Sequence, residues 1–158
     1  MDVDLLIRAA ALVTVLGTGV VYGTDVFCAM VLRPALARVD DAALVTVMGH
    51  VHRYGDRRMV TPGVLGVVAA AVCTAAAGLA AQWAQAVAAG TALAALSIWL
   101  LLYLRISAPV NRQLTAASDT GRLLPNGRAL QAKWDSIITA RAVLQGVAVI
   151  AACLVLLP

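Results

Sequence analysis

The chain has 158 residues, 62% hydrophobic and 13% charged, with a mean hydropathy of +0.90. That composition lies outside the usual range of soluble globular domains and points to a membrane protein. The net charge of +4 comes from basic residues beside apolar runs, which report membrane orientation rather than nucleic-acid binding.

The length suits a single domain. The eight acidic side chains are all aspartates. Cys28, Cys73 and Cys153 are scattered and no CxxC occurs, which argues against a disulfide framework or paired-thiol redox chemistry. The N-terminal MDVDLLIRAA is acidic before its apolar stretch, unlike the basic start of a signal peptide, and is expected to be a retained first span.

The first apolar run, about residues 5–32, stops at Arg33-Pro34; at ~28 residues it exceeds the ~20 needed to cross the hydrocarbon core. Within it, Gly19-Val-Val-Tyr-Gly23 has the GxxxG spacing that lets a second helix backbone approach, and is expected to serve packing. Residues 33–59 form the first long connection, whose stretch from Ala42 to Arg58 has helical composition. It contains Met48–Arg58, MGHVHRYGDRR, with both histidines of the chain. The second span covers about residues 60–81, with Pro62 in its first turn, where proline is best tolerated. The short link Gln82-Trp-Ala-Gln85 makes the second and third spans antiparallel neighbours. The third span, about 87–106, carries Trp99, Tyr103 and Arg105 toward its end, and Pro109 is expected to break or bend it. Residues 107–136 form the second long connection, and the last span covers about 137–157.

Basic residues set the orientation. Arg33, Arg38, Arg53, Arg57 and Arg58 lie in the first connection; Arg105, Arg112, Arg122, Arg128, Lys133 and Arg141 lie in or beside the last; Arg8 alone is near the N-terminus. The expected architecture is an all-α integral membrane four-helix bundle, antiparallel up-down, multi-pass in the cell membrane. Both termini would be on the outer side and both long connections in the cytoplasm.

That topology brings polar side chains to one depth. Asp25 sits ~12 Å from the inner end of its helix at 1.5 Å per residue, with Tyr22 one turn above it. His50, His52 and Arg53 precede the second span, Tyr103 ends the third, and Arg141 lies about one turn inside the last. An intramembrane charge costs at least ~2.5–3.5 kcal/mol at mid-bilayer, so Asp25 and Arg141 should face the bundle interior, each other or a wet pocket. Trp134, Ile138, Arg141 and Gln145 share one helical face. If Met48–Arg58 is helical, Asp56 falls one turn after His52 and can fix its tautomer. His50 pairs likewise with Tyr54. The two histidines would then point to different faces, so they make a good metal pair only in an extended segment.

Two segments carry a resemblance. Tyr22–Leu36, ending Val31-Leu-Arg-Pro-Ala-Leu36, resembles the first-helix signature of a family of small four-helix membrane proteins named after its anthrone oxygenases. Pro109-Val-Asn111-Arg-Gln-Leu114 is similar to that family's P-x-N-x-x-L after the third helix, followed as in the family by Trp134 and Arg141. The resemblance implies a membrane monooxygenase that oxidises a polycyclic aromatic or phenolic substrate with O2, without metal or flavin. It implies His50 or His52 as base, Arg141 or Asn111 stabilising the oxyanion, and Tyr22, Asp25, Arg53, Tyr103, Asn111 and Trp134 around the substrate. Two other readings stand beside it. One is a copper, iron or haem redox protein using His50 and His52 with Asp25 or Cys28. The other is a non-enzymatic accessory subunit, as a homo-oligomer or in a membrane complex.

Overall fold

The computed structural model describes residues 2–121 and 124–157; Arg122, counted above among the inner basic residues, lies outside them. Five helices make up the described chain, and no strand occurs among the described residues: α1 (Val3–Leu36), α2 (Asp41–Arg58), α3 (Val60–Leu79), α4 (Trp83–Thr120) and α5 (Gly127–Val155). Four of them, α1, α3, α4 and α5, are long and apolar enough to cross a membrane. Leu16, Leu65, Ile98, Val143 and Ile150 on their outer faces are at least half exposed. Helices apolar on every side suit a bilayer and not water.

Local chemistry sets the helix ends. Asp2 caps α1 by accepting the Asp4 amide, and Asp40 caps α2 by accepting the Ala43 amide at 2.8 Å. Arg57 and Arg58 in the last turn of α2 match its dipole. α4 stops at Gly121, whose φ of 62° is the left-handed cap that glycine adopts freely. Between α3 and α4 the Gln82 amide donates to the Ala77 carbonyl, closing a tight turn over Ala81.

The four apolar helices form a ring in which α1 contacts α3 and α5, and α4 contacts the same two. Neighbours run antiparallel. The Cys73 thiol donates to the Ile7 carbonyl, Gly17 abuts Pro62 and Gly66, and Thr24 reaches Met59. At one end the core is mostly alanine, with Ala11, Cys73, Ala77 and Ala89 in one cluster beside Ile7 and Val155, and Ala70, Ala92, Ala95 and Ala148 in the next beside Leu96. Small side chains draw the backbones close there. At the other end larger residues take over, including Met48, Leu114, Trp134 and Ile138. There α2 lies across the bundle against the far part of α4, its Gly49 so close that an added Cβ would stand 2.6 Å from the Leu114 carbonyl.

Pro109 does not break its helix. A π turn, Tyr103–Ser107, precedes it, in which the Ala108 amide donates to the Tyr103 carbonyl five residues back. α1 repeats the arrangement: the π turn Cys28–Leu32 precedes Pro34, and the Arg33 amide donates to the Cys28 carbonyl. Proline lacks an amide hydrogen and crowds the carbonyl four residues earlier; the wider turn makes room, so the helix continues. Much of both long connections is therefore helical, with α2 inside the first and α4 reaching Thr120 in the second.

No other helix among the described residues packs closely on the GxxxG pair. A Cβ added at Gly19 or Gly23 would meet no atom of the described residues within 4 Å, so both lie beside open space. Close approach of α1 to α3 instead uses Gly17 and Gly66, which lie on the inner face.

Candidate functional site

Asp25 is buried on α1, 2% exposed, and its carboxylate accepts four hydrogen bonds from two other helices. From α5, Arg141 Nη2 donates to Oδ1 at 2.9 Å and Nε to Oδ2 at 3.2 Å, while Gln145 Nε2 donates to Oδ2 at 2.6 Å. From α4, Trp99 Nε1 donates to Oδ2 at 3.3 Å. The two-pronged pairing suits the planar fork of a guanidinium. Arg141 Nη1 also donates to Ser107 Oγ at 2.7 Å, and Ser107 belongs to the π turn of α4. The guanidinium carbon lies 5.8, 5.7 and 5.4 Å from the ring centres of Trp99, Tyr103 and Trp134. Three aromatic faces replace part of the hydration the cation has lost.

A second carboxylate, Asp56 on α2, lines the same cavity as the first. Its Oδ1 accepts from Tyr103 Oη and from Asn111 Nδ2, both at 2.8 Å. This corrects the expected pairing of Asp56 with His52: one turn of helix separates them, yet the carboxylate turns toward α4, which offers two donors. His52 instead sets its ring against Trp134, with centres 5.3 Å apart and planes at 50°. Burial, and secondarily the Arg141 charge, lowers the His52 pKa from its ordinary 6.5 to about 4, with Gln131 acting weakly the other way. At neutral pH the imidazole is uncharged.

The cavity has a volume of about 350 Å³, at the small end of the range for small-molecule sites. Asp25, His52, Asp56, Tyr103, Asn111, Trp134 and Arg141 contribute to its wall, and valines of α3 with Met48, Met59 and Leu100 supply much of its apolar part. Three buried polar atoms of these lining residues have no hydrogen-bond partner among the described residues: His52 Nε2, Asn111 Oδ1 and Trp134 Nε1. Leaving such a group unpaired costs about 1–3 kcal/mol, so a ligand that satisfies them gains from it.

Of the residues singled out from sequence, His52, Arg141, Asp25, Tyr103, Asn111 and Trp134 thus meet around one cavity. His50, Tyr22 and Arg53 do not line it. His50 is exposed, since two helical residues turn it ~200° from His52. The Tyr22 ring packs over Gly146, and Arg53 forms an ion pair with Asp119. The metal set of His50, His52 and Asp25 is not assembled. Among the described residues no group of three His, Cys, Asp or Glu side chains is placed to hold an ion. Sequence reasoning gave no site role to Trp99, Ser107 or Gln145, which complete the Asp25–Arg141 cluster. The position of Gln145 one turn after Arg141 was the available signal, because a buried amide on a charged face needs partners.

Compared with known proteins, the chain matches no family model, and no curated protein or solved structure is significantly similar to it.

Proposed function

We propose that the chain is a membrane-embedded oxygenase of the anthrone oxygenase type, oxidising a flat, apolar ketone or phenol with O2 and no metal or organic cofactor. In this reading the four spans run up and down through the cell membrane with both termini outside. The cavity then lies in the inner leaflet. The observation that carries it is His52, an uncharged imidazole buried in the wall of an apolar cavity that also holds the Arg141 cation.

The chemistry asks for a base beside a place where negative charge is welcome. His52 takes a proton from the activated ring CH2 of the substrate. The enolate oxygen that forms accepts from Trp134 Nε1 and is drawn by Arg141, which Asp25 and Ser107 hold in place. With its pKa lowered by burial to about 4, His52 holds a proton poorly by itself, a cost of about 3 kcal/mol. An anion beside it offsets that cost, so proton transfer is coupled to formation of the substrate anion. The enolate passes one electron to O2, the radicals join as a carbon-bound peroxide, and the O–O bond breaks as the second ring hydrogen leaves. One oxygen atom ends in the new carbonyl and the other in water with the two hydrogens.

The test is O2 uptake by the purified protein in lipid nanodiscs with anthrone and with a hydroquinone. His52→Gln should lower turnover at least about 100-fold, the scale of general-base catalysis, while His50→Ala leaves it unchanged. Undiminished turnover in His52→Gln, or no uptake with either substrate, overturns the reading.

A further inference from the structure

The cavity has one wall that is also an outer surface. Val60, Val64 and Val68 of α3 line it, yet they are 51%, 55% and 54% exposed. Their spacing of four residues makes them one stripe along α3, bordered across the cavity by Leu100 of α4. Gly63, between the first two, places no side chain in the gap; among the described residues a Cβ there would touch only the Trp99 ring, at 3.6 Å. On the outer face of a span such a stripe faces acyl chains, so this wall is apolar on both sides. The unpaired polar atoms lie on other helices: the His52 nitrogen on α2, the Asn111 acceptor on α4 and the Trp134 donor on α5.

From this polarity we infer that the α3–α4 side is a lateral port, through which the cavity takes an aromatic ligand dissolved in the bilayer. The ligand carries both a hydroxyl and a carbonyl oxygen on its ring system, and an apolar tail. The ring enters first. Its oxygens reach Trp134 Nε1 and Asn111 Oδ1, and the tail stays between Val64, Val68 and Leu100, in contact with lipid. A ligand arriving from water would have to pass α2, where Met48 and His52 are buried. The inference deepens the oxygenase reading by naming how its substrate arrives and what it carries. It rests on that reading only for placing the cavity in a membrane.

The test uses tritiated 6-hydroxy-2-decyl-1,4-naphthoquinone, which carries both a hydroxyl and a carbonyl, with retention by protein in nanodiscs compared against empty discs. After correction for partitioning into lipid, wild type should bind it at least tenfold more tightly than 6-hydroxy-1,4-naphthoquinone without the tail, and should not retain decylbenzene. Val64→Phe with Val68→Phe fills the port and should weaken binding at least fivefold. Val64→Ala with Val68→Ala widens it and should speed release. Leu65→Phe puts an aromatic ring beside the port, at a position that does not line the cavity, and should bind as wild type. It also separates a blocked port from a damaged fold.

Equal binding of tailed and tail-free quinones, or wild-type binding by the phenylalanine pair, overturns the port. So does a phenylalanine pair that binds no worse than Leu65→Phe. If anthrone is turned over and the phenylalanine pair changes nothing, the oxygenase reading stands and the port falls. If the binding pattern holds and no substrate consumes O2, the port stands and the oxygenase reading falls.

Discussion

Asp25→Leu would strip the Arg141 guanidinium of two carboxylate hydrogen bonds while leaving it buried under three aromatic rings. It would also release Gln145 Nε2 and Trp99 Nε1, which now donate to the same carboxylate. Breaking one side of a buried ion pair costs about 3–5 kcal/mol. The two neutral donors left unpaired push the figure to the upper end, so we expect about 5 kcal/mol. For a chain of this size that is a fall in Tm of about 10–20 °C. Replacing both partners, Asp25→Leu with Arg141→Met, removes the stranded charge, and Ser107 loses only one bond. The double variant should therefore be more stable than Asp25→Leu alone, with a coupling of at least about 3 kcal/mol. The measurement is thermal unfolding in mild detergent, followed by circular dichroism, for the wild type, both single variants and the double. If the two losses simply add, or if Asp25→Leu melts with the wild type, the buried pair does not hold these helices together.

Acid should destabilise the fold through His52. Its folded pKa of about 4 lies below the ordinary 6.5, so between those values the unfolded chain binds more protons. Stability then falls as pH drops through that window, by about 3 kcal/mol in all, and His52→Leu flattens the slope. Gly49→Ala drives a Cβ into the Leu114 carbonyl and the Ser118 side chain, and should cost about 2 kcal/mol by forcing α2 off α4. Its Tm and its substrate affinity should fall together, because α2 carries His52 and Asp56. Gly17→Ala should destabilise comparably by meeting the Pro62 carbonyl at 2.7 Å, whereas Gly19→Ala, facing open space, should melt no lower than wild type.

Much of the site is legible in the sequence because charge inside an apolar helix is costly enough to demand a partner. Asp25 and Arg141 stand out for that reason, and the alternating four- and three-residue spacing of Trp134, Ile138, Arg141 and Gln145 puts the arginine on a buried face. The histidines are harder to tell apart. Their spacing says that only one can face the bundle, but which one depends on where α2 lands, and that is fixed by Gly49 nesting on Leu114 and Ser118. The role of Asp56 depends on the same docking, since its donors come from a helix some fifty residues away. Glycine spacing misleads for a related reason. GxxxG marks a backbone that can be approached, but whether the pair faces a neighbour depends on the phase of α1, and the inner face belongs to Gly17.

The π turn before Pro109 has a consequence for how the protein can change over time. A π turn holds one residue more than the α-helical path it replaces, and each residue turns a helix by ~100°. Trp99 and Asn111, on either side of it, both point into the cavity only while that extra residue is present. Deleting a single residue between Tyr103 and Ser107 would leave the span as long and as apolar as a bilayer needs, yet rotate Asn111 away from Asp56 and Leu114 away from Gly49. The count of residues in one turn thus acts as a phase lock between the membrane-spanning half of α4 and the half that receives α2. Substitutions can retune the cavity one side chain at a time, whereas a one-residue deletion here would dismantle it at a stroke.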